Sequence, residues 1–159
     1  MNNELLLVID IQAGTLAPII GKNALISNIN ALIDFFHEKN APIIFVQQTG
    51  YGNISSKVNK HVNDFVTKKS KPNAFTSPEF EKTIQTINRK SVVVTGLMSN
   101  ACVQHTCKGA LANDYSVTLI SDAHDSVIKP LRNVYTNRLS KQGVQTLTTE
   151  EYILKKGDC

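Results

Sequence analysis

The chain has 159 residues, of which 42% are hydrophobic and 19% are charged; these proportions exclude a disordered protein and predict one domain with a sizeable core. The net charge of +4 arises from scattered lysines, and the densest basic stretch, residues 57–71, has the composition of a solvated surface, so nucleic acid is not an expected partner. The apolar runs are too short to span a bilayer and the first residues lack a signal-peptide pattern. We therefore expect a cytoplasmic protein without a membrane partner.

Cysteine and histidine usage gives no sign of a disulfide framework or a metal site. The three cysteines, Cys102, Cys107 and Cys159, are odd in number and share no repeated spacing. The four histidines are scattered and form neither an HxH nor an HExxH pattern. The sequence therefore predicts no protein-built metal centre.

Apolar runs alternate with longer amphipathic stretches along the whole chain. The first run, residues 5–9, is continuous, which is typical of a strand buried on both faces of a parallel sheet. Ser77 and Pro78 form a cap and first-turn pair typical of a helix start, and Gly143 is placed to end a later helix. The predicted elements are strand 5–9, helix 23–39, strand 42–47, a weak edge strand 65–69, helix 78–88, strand 92–95, helix 100–113, strand 116–120, helix 131–141, strand 144–147 and a short helix from residue 148.

Strands that alternate with helices predict a three-layer α/β/α fold, with a roughly six-stranded parallel sheet covered by helices on both faces. No linker or repeat divides the chain, so residues 1–159 are predicted to form a single domain. In such sheets, ligands bind beyond the carboxyl ends of the strands. Functional side chains are therefore sought at those ends.

Three residues meet that criterion. Asp10 directly follows the first strand, and Cys102 lies in the first turn of the helix after strand 92–95. Lys71 lies beyond the weak edge strand, where Pro72 holds it in an extended or turn conformation. The free N–H groups of a helix N-terminus favour a thiolate and can also hold an oxyanion, so we expect a reactive Cys102 with a lowered pKa.

These residues lie in four segments that together resemble the isochorismatase-like cysteine hydrolase family. Residues 8–12 resemble its hydrophobic-Asp-x-Gln motif, and residues 71–75 resemble its Lys-x-x-small-Phe motif. Residues 93–103 resemble its strand-Gly-x-x-(Thr/Ser)-(Asn/Asp)-x-Cys-Val signature, and Asp122-Ala123 matches the Asp-Ala pair after the next strand. The resemblance covers residues 4 to about 152 and implies the strand order 3-2-1-4-5-6.

The resemblance implies a catalytic triad and a reaction. Asp10 would be the general base, Cys102 the nucleophile and Lys71 the charge that stabilises the cluster. A cis peptide bond between Leu97 and Met98 would direct the Met98 N–H, together with the Cys102 N–H, at an oxyanion. The implied activity is hydrolysis of a small amide (a C–N bond) through a Cys thioester, without a cofactor.

The resemblance also implies self-association and a small-molecule substrate. Residues 46–53 contain no Asp and no His, unlike the Asp-x-His region of metal-dependent nicotinamidases in this family, so we expect a metal-independent enzyme. The residues expected to form the substrate-binding wall are Gln12, Gln48, Tyr51, Phe75 and His124.

Other interpretations of the same residues stay open from the sequence. His105 or His124 could replace Asp10 as the base in a Cys–His hydrolase. The chain could be a non-catalytic small-ligand binding or scaffolding protein on the same fold, because the segments after Gln12 and Gly50 are short. Cys102 could also act as a thiol sensor.

Overall fold

The computed structural model describes residues 1–157 and consists of six strands and six helices joined by two short helical turns. In chain order these are β1 (Glu4–Ile9), α1 (Ala13–Leu16), α2 (Lys22–Glu38), β2 (Ile43–Gln48), β3 (Phe65–Lys69), a 3-10 turn (Ala74–Thr76), α3 (Pro78–Ile87), β4 (Ser91–Leu97), a π-helical turn (Ser99–Val103), α4 (Gln104–Ala112), β5 (Ser116–Asp125), α5 (Pro130–Lys141), β6 (Gln145–Leu147) and α6 (Thr149–Gly157).

The strands form one parallel sheet in the order β3-β2-β1-β4-β5-β6, which confirms the predicted order 3-2-1-4-5-6. Side chains of β1 alternate between two cores, with Leu6 and Val8 packing on the α2 and α6 side and Leu5 and Leu7 on the α3 and α4 side. Every residue of β1 is buried, as its continuous apolar run predicts. The three-layer α/β/α fold is therefore confirmed.

The carboxyl ends of β1 and β4 approach each other unusually closely at Gly96. Ile9 pairs with Gly96 in the strand register, and Gly96 has a φ of +122°. A Cβ atom at this position would lie 2.0 Å from the Ile9 carbonyl oxygen. Glycine is therefore required here, and its absent side chain brings the ends of both strands together.

Several element boundaries differ from the predictions for physical reasons. The strand predicted to end at residue 120 continues to Asp125, past an irregularity in the β4–β5 pairing between Val94 and Gly96. The helix predicted from residue 100 begins as the π-helical turn, and α4 proper starts at Gln104. Helix α1 and the 3-10 turn were not predicted, because elements of four and three residues are too short to show a periodicity.

Cys102 and Cys107 are both free thiols, whereas Cys159 lies outside the described residues. Within residues 1–157, none of the helices is long and apolar enough to cross a membrane.

Candidate active site

Asp10 is held in a single orientation at the end of β1. Its backbone has a left-handed φ of +53°, which Asp tolerates better than most residues. Its N–H donates to the Val46 carbonyl oxygen at 2.9 Å, and the Thr15 hydroxyl donates to its carbonyl oxygen. The side chain is only 2% exposed, so the carboxylate is directed into the protein rather than into solvent.

Cys102 is placed by the π-helical turn that follows β4. The N–H groups of Ala101 and Val103 both donate to the Met98 carbonyl oxygen at 3.1 Å, which closes the turn. Cys102 lies between those two residues and is partly exposed. The peptide bond between Leu97 and Met98, at the start of this segment, is cis.

Lys69 joins these two residues from the end of β3. It pairs in register with Gln48, and its side chain is fully enclosed. Its Nζ lies 3.1 Å from Asp10 Oδ2, 3.3 Å from Cys102 Sγ and 2.6 Å from Gln48 Oε1. The carboxyl ends of β1, β3 and β4 thus bring a carboxylate, an ammonium group and a thiol into one cluster, which we call the Asp–Lys–Cys cluster.

The prediction that Lys71 supplies this ammonium group is wrong. Lys71 is exposed, and Lys69 occupies the position instead. Period-two alternation along β3 turns Thr67 and Lys69 inward and Lys68 outward, and the chain leaves the sheet after Lys69. The same alternation, together with the rule that ligands bind at the carboxyl ends of strands, would have selected Lys69 from the sequence.

The thiol of Cys102 is also not the low-pKa thiolate expected from its helix position. The pKa of Cys102 is raised to about 11, because burial and the adjacent Asp10 charge both raise it and Lys69 only partly opposes them. Burial likewise raises the pKa of Asp10 above its usual range, although Lys69 acts in the opposite direction. Desolvation and the neighbouring carboxylate therefore outweigh the effect of the Lys69 charge on the Cys102 thiol.

The two carboxylate oxygens of Asp10 have different surroundings. Oδ2 accepts from Lys69, whereas Oδ1 is buried and has no hydrogen-bonding partner among residues 1–157. An orphaned buried acceptor is costly unless something donates to it. The Cys102 thiol interacts with this carboxylate, and Oδ1 is the carboxylate oxygen that has no hydrogen-bond donor.

A cavity of about 350 Å³ opens beside the cluster. Asp10 and Cys102 lie in its wall, and of the residues predicted to contact substrate or oxyanion, Gln48, Tyr51 and Met98 also line it. Its wall also includes Gly14, Thr15 and Pro18, which were not predicted because α1 and the following turn are too short to show a periodicity. The other lining residues that were not predicted are Pro72, Leu97 and Ala101.

Gln12 does not line the cavity, contrary to the prediction. Its amide is fully buried, donates to the carbonyl oxygens of Gln48 at 2.9 Å and Gly52 at 2.8 Å, and accepts from the Gln48 N–H at 2.8 Å. Gln12 therefore ties the loop after β1 to the loop after β2. It supports the wall that contains Tyr51 without facing a ligand.

Phe75 and His124 were also wrongly predicted to form the cavity wall. Phe75 packs edge-on against Phe80, with ring centroids 5.0 Å apart, in the core on the α3 side. His124 is fully buried, and its Nδ1 and Nε2 lie 2.7 Å from Ser99 Oγ and 2.8 Å from Thr136 Oγ1, respectively. Both side chains support the site from behind.

The partners of His124 define its tautomer. The Thr136 hydroxyl donates to the Arg132 carbonyl oxygen at 2.7 Å, so Thr136 Oγ1 accepts from Nε2–H of His124. His124 Nδ1 then accepts from the Ser99 hydroxyl. This neutral form fits the pKa of His124, which burial lowers to about 4, and it ties the first residue of the π-helical turn to α5.

Histidines do not enter the Asp–Lys–Cys cluster. His105 lies on the exposed side of α4, and both ring nitrogens of His124 are engaged elsewhere. Among residues 1–157, no group of three His, Cys, Asp or Glu side chains has an arrangement that could hold a metal ion.

Comparison with known proteins gives the family. Residues 4–151 match the isochorismatase domain. The chain belongs to the isochorismatase family. Isochorismatase family protein 2A of Dictyostelium discoideum is 31% identical over 158 residues, covering 93% of this chain and 79% of that protein. Probable hydrolase YcaC of Escherichia coli K12 is 25% identical over 154 residues, covering 92% and 74%, respectively.

Solved structures of the isochorismatase family share the fold. The E. coli YcaC structure, described as an octameric hydrolase of unknown specificity, superimposes with a TM-score of 0.87 at 22% identity, covering 94% of this chain and 77% of that one. YcaC of Pseudomonas aeruginosa, solved with hexane-2,5-diol and covalent acrylamide, gives a TM-score of 0.85 at 21% identity, covering 93% and 77%. The isochorismatase hydrolase fold is therefore common to all three.

Proposed function

We propose that this isochorismatase-family protein is a cysteine-dependent hydrolase of a small amide. The observation that carries the proposal is the Asp–Lys–Cys cluster, in which Lys69 Nζ lies 3.1 Å from Asp10 Oδ2 and 3.3 Å from Cys102 Sγ. The cluster borders a cavity of about 350 Å³, at the lower end of the usual range for small-molecule sites. A nucleophile, a base and a charge beside such a cavity support acyl transfer.

The proposed reaction proceeds in two balanced steps. As Cys102 Sγ attacks the amide carbonyl carbon, Asp10 accepts the thiol proton and passes it to the departing nitrogen, which breaks the C–N bond and leaves a thioester. Water then attacks the thioester while Asp10 accepts a proton from it, which releases the carboxylic acid and restores the thiol. Lys69 holds Asp10 and offsets its charge throughout.

The oxyanion of each tetrahedral intermediate is assigned to the backbone N–H groups of Met98 and Cys102, as the family resemblance implies. Both residues line the cavity, which supports this assignment. The proposed chemistry needs neither a metal ion nor an organic cofactor, because a thiol and a carboxylate supply the nucleophile and the base.

A homo-oligomer is also proposed, because the YcaC neighbour is described as octameric. Sedimentation equilibrium of the purified chain measures its assembly state, and a monomer at all concentrations would reject this part of the proposal.

The function is tested by supplying a panel of small amides and measuring both amine release and the mass of the intact protein. We expect release of amine or ammonia together with a transient acyl adduct on Cys102. Cys102→Ala should abolish both signals, whereas Cys107→Ala, which removes a fully buried thiol outside the cluster, should retain them. Tight binding of amides without any adduct or turnover would instead favour a non-catalytic binding protein.

A further inference from the structure

The wall of the cavity has polar reacting groups at the Asp–Lys–Cys cluster and mainly apolar surface elsewhere. Apart from the residues of the Asp–Lys–Cys cluster, it is formed by uncharged and largely apolar side chains, among them Pro18, Tyr51, Leu97 and Met98. Of the two hydroxyls in the wall, those of Thr15 and Tyr51, the Thr15 hydroxyl is already directed at the backbone oxygens of Asp10 and Gln12. Apart from the reacting end, the wall therefore offers a ligand mainly apolar surface.

The cavity wall contains one carboxylate and no basic side chain among the described residues. Among residues 1–157, Asp10 is the one acidic or basic side chain in the cavity wall. The nearest ammonium group, that of Lys69, is fully enclosed and already contacts Asp10, Gln48 and Cys102. No cation is therefore left in the wall to pair with an anionic substituent, which would lose its hydration there without gaining a partner.

We infer that the substrate is an uncharged carboxamide with a short apolar acyl group, and that amides with an additional carboxylate are rejected. This inference rests on the proposed function and specifies its substrate class. The amide carbonyl lies at Cys102, and the acyl group packs against the apolar wall that contains Pro18 and Leu97. A cavity of about 350 Å³, at the lower end of the usual range for small-molecule sites, accommodates such a group.

A pair of amides that differ in charge tests the inference. Butanamide and succinamate (4-amino-4-oxobutanoate) have the same four-carbon amide skeleton, but only the second has a terminal carboxylate. We expect kcat/KM for butanamide to exceed that for succinamate by at least about 100-fold, because a carboxylate without a partner is costly to take out of water. Equal or higher kcat/KM for succinamate would overturn the inference and leave amide hydrolysis intact.

Binding to a catalytically inert variant separates the two proposals. Calorimetry with Cys102→Ala measures affinity without turnover. If butanamide binds this variant and succinamate does not, while the native protein hydrolyses neither, then the substrate class is retained and the proposed function fails. If neither amide binds, or succinamate binds more tightly, the inferred substrate class is rejected.

A designed charge in the wall gives a positive test. Pro18→Arg places a cation at the exposed rim of the cavity, and Pro18→Gln is the matched neutral replacement. We expect Pro18→Arg to raise kcat/KM for succinamate relative to butanamide by about 10-fold or more, and Pro18→Gln to leave the ratio within about 2-fold. An unchanged ratio in Pro18→Arg would show that charge in this wall does not set specificity.

Discussion

In the proposed mechanism, a proton moves between Cys102 and Asp10 beside the Lys69 ammonium group. With the thiol pKa near 11, the resting cluster contains a neutral thiol, a carboxylate and an ammonium group, so it is neutral as a whole. A free thiolate would place a second negative charge beside Asp10 in a desolvated site. In the proposed mechanism the nucleophile therefore forms only as the thiol proton moves to Asp10, which gives Asp10 the role of the base.

Asp10→Asn should change thiol reactivity and turnover in opposite directions. Removing the carboxylate removes two effects that raise the pKa of Cys102, so the thiol pKa should fall and alkylation by iodoacetamide at pH 8 should become faster. Turnover should nevertheless fall by about 10²–10⁴-fold, because the base is lost. Asp34→Asn, which removes an exposed carboxylate, should change neither quantity. A rise in the thiol pKa of Asp10→Asn would contradict this assignment.

Two lysines two positions apart allow a matched comparison. Lys69→Met leaves Asp10 buried without its partner, so we expect it to lower the free energy of unfolding by about 3–5 kcal/mol and turnover by at least about 100-fold. Lys71→Met alters an exposed side chain and should lie within about 0.5 kcal/mol of the native protein. Urea denaturation and amine release measure both quantities. The assignment of Lys69 would be rejected if Lys71→Met were the variant that lost activity.

The contact between the ends of β1 and β4 decides whether Asp10 and Cys102 can meet at all. Gly96→Ala would place a methyl group against the Ile9 carbonyl, so we expect a loss of about 2–4 kcal/mol from clash and backbone strain together. Gly143 also has a positive φ, of +104°, but open space surrounds it, so Gly143→Ala should lose only about 1–2 kcal/mol. Equal losses of unfolding free energy for Gly96→Ala and Gly143→Ala in urea denaturation would show that close contact between β1 and β4 does not require glycine at position 96.

At the level of elements, long periodic segments were predictable and short irregular ones were not. β1 and α2 were predictable because burial on two faces or on one face leaves a clear apolar pattern over six and seventeen residues. The π-helical turn depends on backbone geometry that no side-chain pattern encodes.

The site residues Asp10 and Cys102 were predictable from their positions after strand ends. The choice between Lys69 and Lys71 required knowing which residues of the edge strand β3 point inward. Gln12, Phe75 and His124 were predicted to face the cavity and do not, since sequence does not show which way a buried polar or aromatic side chain points.

For the whole molecule, His124 links acidity to stability. Its pKa is lowered from 6.5 to about 4 in the folded protein, so between these pH values the unfolded chain binds a proton that the folded chain does not. Stability should therefore fall as the pH drops from 6.5 towards 4, with a slope from this group of up to about 1.4 kcal/mol per pH unit, and change no further through His124 below that range.

Urea denaturation at several pH values, compared between the native protein and His124→Gln, isolates this contribution. The slope should be shallower in His124→Gln, whereas His105→Gln, on the exposed side of α4, should retain the native slope. Parallel curves for the native protein and His124→Gln would exclude His124 as the origin of the pH dependence.

Lys69 belongs to β3, which forms the margin of the sheet and is bonded to a single neighbouring strand, β2. The start of α3 covers its outer side, where Glu79 accepts from the Lys68 N–H at 3.2 Å and the Ser77 hydroxyl donates to the Lys68 carbonyl oxygen. Marginal strands are among the parts of a fold that open first, before global unfolding. Hydrogen exchange should therefore be faster in β3 than in β1, and amide turnover should disappear at a lower urea concentration than the helical signal. Lys69 would then leave the Asp–Lys–Cys cluster, and amide turnover would stop, while most of the sheet is still folded.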